Sequence, residues 1–382
     1  MTEHLLMTLK DVETLRDHWQ RFIRLAIRGR FVEPVSMVNS GYLHTLNASF
    51  DGLFLREQQS DSLLTANHPM TFGTIQPCIR TEDKLSIKHS ALHLGLFEIC
   101  GFSMLDFPQA TAQYMAKKTI EEFLIFYVDY LKLDLKRLRV YYFGGGCLRD
   151  ITNGRIRSDD YVEPDNFSVE IWKSFGLKSN QLIAEFTNET FLLHMGNPIR
   201  EHHSGYRNDI FIKLENADFE IGTLNFISHQ TVIEQGEIIG IKPLPFYLRE
   251  MAIGQERFLA AAAGETNLYN LPHIYPLLDA ASKKTRTKTE AMTYADALRV
   301  VHYLYSDGWS YETLRGRAYR EHRHELNKFM DIIEGLGNHL TAKEQLEILK
   351  LNADLQPWYP KLKVGIETTA AGIETYKERK HD

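Results

Sequence analysis

Three stretches of this chain carry side chains whose types and spacing could hold a phosphate group. The first runs Cys78-Ile79-Arg80-Thr81-Glu82-Asp83-Lys84 and resumes at His93-Leu94-Gly95-Leu96-Phe97-Glu98. An arginine beside carboxylates where a strand ends can hold a nucleotide α-phosphate while a carboxylate receives a polar group. The plainer alternative is a charge cluster on a surface turn. The second is Ala252-Ile253-Gly254-Gln255-Glu256-Arg257-Phe258-Leu259, which enters a run of alanines. Gly254 permits close backbone approach, and a helix starting there aims Arg257 from its first turns. The third comprises Ala295-Asp296-Ala297-Leu298-Arg299, Asp307-Gly308 and Arg315-Gly316-Arg317-Ala318-Tyr319-Arg320. With His322 and Arg323 the last part reads as a short basic helix suited to a phosphate backbone, although a solvated face is the commoner meaning of such a run.

Other patterns carry less. His202-His203 and His322-Arg323-His324 have no carboxylate or cysteine at ligand spacing, which argues against zinc. Gly144-Gly145-Gly146 lacks the lysine of a phosphate loop and the spacing of a dinucleotide fingerprint, so it reads as a turn. The three cysteines, Cys78, Cys100 and Cys147, lie far apart, which excludes a disulfide framework and fits a reducing compartment. Lys+Arg is 44 against 50 Asp+Glu, a net charge of −6, so any RNA contact has to come from a local basic patch. The N-terminus is unlike a signal peptide and no run of about 18 apolar residues is present. The expectation is a cytoplasmic protein with no membrane contact and no pull toward DNA.

The elements that position these residues are legible from periodicity. Val12, Leu15, Trp19, Phe22, Ile23 and Ala26 recur at helical spacing over 8–28. A second helix spans 109–132, with Ile120, Phe123, Leu124, Tyr127 and Leu131 on one face. Leu138–Phe143 reads as a strand; Ile210, Ile212 and Leu214 alternate as a half-buried strand does, with 219–227 as its neighbour. The stretch 33–80 reads as loops and short strands, and 283–288 as a linker. After about residue 265 the pattern is helical, with Leu298, Val301 and Tyr305 on one stripe. Strands grouped before helices predict an α+β domain over 1–265 and a helical one over 266–382.

Taken in order, these segments resemble the class II aminoacyl-tRNA synthetases, the alanyl type above all. The two-part first segment is similar to motif 2 and the Gly-x-Glu-Arg of the second to motif 3. Glu220-Ile221-Gly222-Thr223-Leu224-Asn225-Phe226 resembles the alanyl Glu-Ile-Trp-Asn strand. Ser204-Gly205-Tyr206-Arg207-Asn208-Asp209-Ile210-Phe211 resembles the alanyl Cys-Gly-Pro-Cys-Thr-Glu-Ile-Phe hairpin, and 295–308 the start of the helical tRNA-binding domain. The likeness spans roughly residues 10–330.

What the resemblance implies is an antiparallel sheet flanked by helices and an enzyme using ATP and Mg²⁺. An amino-acid carboxylate attacks the ATP α-phosphorus, pyrophosphate leaves, and the aminoacyl group passes to tRNA. Arg80 would bind the α-phosphate and Arg257 the distal phosphates; Glu82 or Glu98 would hold the adenine or the metal, with His93 in the same ATP site. Asp209 and Glu220 would hold the metal. Glu250 stands where alanyl enzymes carry an Asp that pairs with the substrate ammonium group. Leu192 or Leu193 falls where they carry a Trp, and Met195 and Asn225 join the same pocket. The aliphatic replacement implies a small amino acid, not necessarily alanine. Arg315, Arg317, Arg320 and Arg323 would hold tRNA phosphates, while Leu314 replaces an Asn that reads a base edge. The chain stops short of the editing domain, so the expectation is a specialised role beside a housekeeping enzyme. Two alternatives stay open: an activating ligase that serves a carrier protein or small molecule, and a non-catalytic paralogue that binds RNA or protein.

Overall fold

The computed structural model describes residues 7–34, 36, 70–80, 91–106, 112–193, 203–215, 218–235, 237–283, 285–337 and 340–381. The expected first helix is present as α1 (Leu9–Arg21), continued by a wider turn over Phe22–Ala26. Asp11 starts it by accepting from the Thr8 backbone N–H (2.6 Å). Eleven strands follow among the described residues: β1 (Arg30–Phe31), β2 (Met70–Ile79), β3 (Leu96–Asp106), β4 (Leu138–Phe143), β5 (Gly146–Cys147) and β6 (Tyr161–Val162), then β7 (Leu182–Glu185), β8 (Phe191–Leu192), β9 (His203–Lys213), β10 (Asp218–Glu234) and β11 (Glu237–Gly254). Between them lie α2 (Ala112–Leu124), the short α3 (Leu148–Ile151) and α4 (Asn166–Ser174). After β11 come α5 (Gln255–Ala262), α6 (Tyr275–Ser282), α7 (Lys288–Ser306), α8 (Arg320–Gly337), α9 (Ala342–Asp354) and α10 (Lys361–His381). From residue 266 on, the described residues form helices and connections alone, as the periodicity predicts.

The main sheet runs β1-β2-β3-β11-β10-β9-β4-β7, with β8 paired to β9. Its six central strands are antiparallel, and the two edges, β1 on β2 and β7 on β4, are parallel. The stretch 33–80 differs from expectation, because its end is a ten-residue strand, β2, rather than short pieces. Pro77 hid it from periodicity. Proline cannot donate to a neighbour, but β1 pairs with Phe72 and Gly73, so among the described residues Pro77 has no strand on that side to donate to.

One face of this sheet is dry. Ile75, Ile79, Leu96, Cys100, Phe102, Met251 and Ile253 pack against Trp19 of α1, Phe22 and Ile23 of the wider turn that continues it, Ile120 and Phe123 of α2, and Phe126 of the wider turn Ile125–Tyr130 that follows α2. Arg249 is buried on that face, where it pairs with Glu122 of α2 and lies over the Phe102 ring. Period-2 alternation turns the next residue, Glu250, to the other face. The helical part grips the sheet through β3. Asp296 accepts from the Gly95 N–H (2.5 Å), while Arg299 donates to the Leu96 carbonyl (3.3 Å) and to Asp296 (3.2 Å). Residues 285–287 lead directly into α7, which Thr287 caps by accepting from Glu290 N–H (3.1 Å).

Candidate active site

The free face of the sheet carries a cavity of about 880 Å³, within the range of about 300–1,000 Å³ common for small-molecule sites. Strand register explains its composition. Residues directly opposite share a face, so Ser103, Glu250, Asn225 and Arg207 form one row across β3, β11, β10 and β9. One step along, Gly101, Ala252, Thr223 and Asp209 form the next. Arg80, Phe97, Leu192, Leu193, Arg207, Glu220, Asn225, Glu250 and Arg257 all line the cavity.

Its floor is acidic and buried. Glu250 is 1% exposed; its carboxylate accepts from the Ser103 hydroxyl (3.4 Å) and the Asn225 side-chain amide (3.4 Å). The other end of that amide, Asn225 Oδ1, is buried and accepts nothing. A buried acceptor without a donor is costly and marks a place for one to arrive. The walls are cationic. Arg80 leaves β2 at the rim, its Nε donating to the Leu94 carbonyl (3.4 Å) and its guanidinium lying 5.2 Å from the Phe97 ring centre. Arg257, in the first turn of α5, pairs with Glu220. Arg207 donates through Nε to Asp209 (2.5 Å) and stands 3.9 Å from Glu220. Burial pushes the Asp209 carboxyl up to about 7, although Arg207 pulls it the other way.

Gly254 opens α5 with φ −68°, a value any residue adopts, so backbone strain does not demand glycine here. A Cβ there would meet only the Arg257 side chain, at 3.6 Å. Its missing side chain therefore leaves room beside Arg257 rather than permitting a tight turn. The following residues divide in function. Gln255 turns into the core, Glu256 is buried at the cavity's edge where it accepts from the Glu98 N–H (2.9 Å), and Arg257 turns into the cavity.

Three residues expected at the nucleotide or metal lie elsewhere. Glu98 is 4% exposed on the dry face of β3 and is held by Arg16 (2.5 Å), Gln255 (2.5 Å) and Tyr359; strand alternation sends Phe97 and Ile99 to the cavity instead. His93 stands outside the lining, and its carbonyl accepts from Tyr269 (3.4 Å). Asp209 shares the cavity face of β9 with Arg207 but is engaged as the counter-ion of that arginine and does not line the cavity. Glu82 and Met195 lie outside the described residues. In the helical part, Arg315, Arg317 and Arg320 are exposed, but they straddle a single 3₁₀ turn and the start of α8 rather than one short helix. Arg323 turns back to donate to the Leu314 and Gly316 carbonyls and so clamps its own loop. Leu314 itself is fully buried. Sequence reasoning missed Arg207 as a cavity residue. Its i, i+2 relation to Asp209 on a strand was the available signal.

The arrangement is an α+β core with cations and a buried acceptor pair around one cavity. The chain is 26% identical over 253 residues to the alanine–tRNA ligase of Fusobacterium nucleatum subsp. nucleatum, an alignment covering 62% of this chain and 26% of that protein. That relative bears out the alanyl-type resemblance read from the motifs, and the chain spans about a quarter of the relative's length. Solved structures similar to the chain include the RNA binding domain of threonyl-tRNA synthetase from Cryptosporidium parvum Iowa II, at 12% identity and a TM-score of 0.39 over 66% of this chain and 65% of that one. A pyrrolysyl-tRNA synthetase from Desulfitobacterium hafniense matches at 10% identity and a TM-score of 0.35, over 70% and 73%. No protein-family model matches the sequence.

Proposed function

We propose that this chain activates an amino acid with ATP, forming an aminoacyl-adenylate, and hands it to a tRNA. The observation that carries the reading is the unfilled Asn225 Oδ1 beside the Glu250 carboxylate, in the same cavity as Arg80 and Arg257. Two buried acceptors suit an ammonium group, which has donors only. With the ammonium held there, the substrate carboxylate is free to face the cations. Attack of that carboxylate on the α-phosphorus forms the acyl-phosphate bond and breaks the bond to the leaving pyrophosphate. No proton need move. Catalysis then rests on positioning and charge. Arg80 meets the α-phosphate, where negative charge builds. Arg257, freed from Glu220 by a stronger anion, meets the pyrophosphate end.

Magnesium on a nucleotide commonly takes one or two carboxylates, with phosphate oxygens supplying the rest. Glu220 lines the cavity and fits that role; Asp209, turned to Arg207, fits only as a support behind it. When bound, the ion would draw charge from the phosphates. Among the described residues no group of three or more metal-binding side chains comes together, so the nucleotide must bring the remaining ligands.

The side-chain end of the cavity is wider than alanine requires. Leu192 pairs with Gly205, two strands and two residues from Asn225, roughly 12 Å by ordinary strand spacing. Ile156, Ile238 and Leu193 complete that aliphatic wall. A methyl group on a substrate anchored at Glu250 does not reach it, so a longer apolar side chain fits this space better. For the acceptor, Arg320 sits at the N-terminus of α8, where the helix dipole disfavours a cation and an approaching phosphate compensates. With Leu314 buried, these arginines hold a backbone without reading a base. The same burial favours, as a second reading, a carrier protein or small molecule as acceptor.

The test is amino-acid-dependent exchange of pyrophosphate into ATP over the standard amino acids, with Arg80→Ala as control. Exchange with one amino acid and its loss in Arg80→Ala are expected; exchange that survives Arg80→Ala would refute the site.

A further inference from the structure

Beneath the cavity lies a buried polar node that draws on three separate parts of the chain. Its centre is Glu98. One carboxylate oxygen accepts from Arg16 of α1 (2.5 Å) and from the Tyr359 hydroxyl, and the other from Gln255 (2.5 Å). The Glu98 N–H donates to Glu256 (2.9 Å), and Arg16 also reaches the Gln255 side-chain oxygen (3.3 Å). Tyr359 arrives from the connection between α9 and α10, more than 250 residues away in sequence; its neighbour Trp358 and its own ring lie 5.1 and 5.2 Å from the Arg16 guanidinium. All four polar partners of Glu98 are at least nine-tenths buried or nearly so, with Arg16 at 12% and Glu98 at 5% side-chain exposure.

Gln255 and Arg257 are the first and third residues of α5. At 3.6 residues per turn they point about 200° apart, on opposite sides of the helix. Fixing Gln255 and Glu256 in the node therefore sets the direction in which Arg257 enters the cavity. We infer that Tyr359 of the helical part is a positioning residue for Arg257: through Glu98 and Gln255 it holds the first turn of α5 at the angle the distal phosphates need. The helical part thus completes the activation site rather than only receiving an acceptor. This inference rests on the reading of Arg257 as a phosphate ligand.

Tyr359→Phe removes one hydroxyl and keeps the ring. A single bond to a charged group, lost in a buried place, should raise the KM for ATP about tenfold. The KM for the amino acid, set at Glu250, should stay as in the unaltered protein. Tyr303→Phe is the control. Tyr303 packs on Tyr359 (ring centres 5.6 Å apart), but its hydroxyl meets Lys361 (2.9 Å) and not Glu98, so both KM values should hold. Gln255→Ala breaks the same node from the helix side, and together the two changes should cost little more than one. Unchanged ATP kinetics in Tyr359→Phe would overturn the inference. So would a parallel shift of both KM values and the melting temperature, which marks a purely structural role. If the unaltered protein shows no exchange with any amino acid, the functional reading fails and this inference falls with it. Exchange that is normal in all three variants sinks the inference alone.

Discussion

Glu250 and Arg249 are neighbours in sequence, both nearly fully buried, and they do opposite things. Arg249 pairs with Glu122 on the dry face and ties a helix to the sheet. Glu250 faces the cavity with Asn225 beside it. The pleat decides between them. Breaking the first is expected to unfold the protein, while changing the second should alter substrate binding. Glu250→Gln keeps the shape and removes the charge, and a hydrogen bond to a charged group contributes about 1.5–3 kcal/mol. The kcat/KM for the amino acid should therefore fall about 10- to 100-fold, with ATP binding by calorimetry unchanged. Unaltered amino-acid kinetics would show that the ammonium sits elsewhere. The motif positions Arg80, Glu250 and Arg257 were legible as residue types in sequence. Glu98 was misplaced because its charge is visible in sequence and its face is not: three partners from α1, α5 and the α9–α10 connection claim it.

At the scale of elements, the start of α8 shows how a local departure acquires its meaning. The resemblance puts Leu314 where an amide was expected to read a base edge; in the fold it is core and its carbonyl is held by Arg323. Restoring the amide does not restore a reader. Leu314→Asn should bury an unpaired polar group in place of an apolar one, a cost on the order of 2–4 kcal/mol. The expected outcome is a lower midpoint in urea with tRNA retention in a gel shift no stronger than before. Tighter, sequence-selective retention would mean that this loop reopens on RNA. The starts of α7 and α9 carry local signals that periodicity does not use: Thr287 and Thr341 each accept from a Glu N–H three residues on. The strand β2 was not legible, because a proline inside a strand looks like a break.

At the scale of the whole molecule, buried titratable groups make stability depend on pH from both sides. Burial pushes Asp165 and Asp209 up to about 7 and Asp296 up to about 6. These folded-state values lie above the unfolded one, so their contribution is present in acid and lost as pH rises from about 4 to 7. Histidines act in the opposite sense. Burial pushes His273 down to about 3 and His302 down to about 4. Nε2 of His302 donates to the Leu362 carbonyl (2.9 Å), which leaves Nδ1 to accept from Asn352 (2.9 Å). A proton on Nδ1 would oppose that donor. The unfolded chain therefore takes the proton first, and the His302 contribution is lost as pH falls from about 6.5 to 4, reaching about 3 kcal/mol. His302→Gln should be less stable than the unaltered protein at pH 7.5. The gap should narrow by that order on acidification, followed by denaturant unfolding at a series of pH values. A gap independent of pH would show that His302 is not held neutral.

Composition and periodicity were enough for the α+β class, the turn to helices after residue 265, and the order of three charged segments, since each depends on spacing along the chain. Which charged side chains share a cavity was decided only by the fold. Strand register aligns Ser103, Glu250, Asn225 and Arg207 across four strands, and alternation sends Glu98 and Arg249 to the far face. Residues 98 and 359 become partners because the connection between α9 and α10 reaches β3, a contact that no local pattern encodes. Spacing is a property of the chain, and facing is a property of the packed sheet.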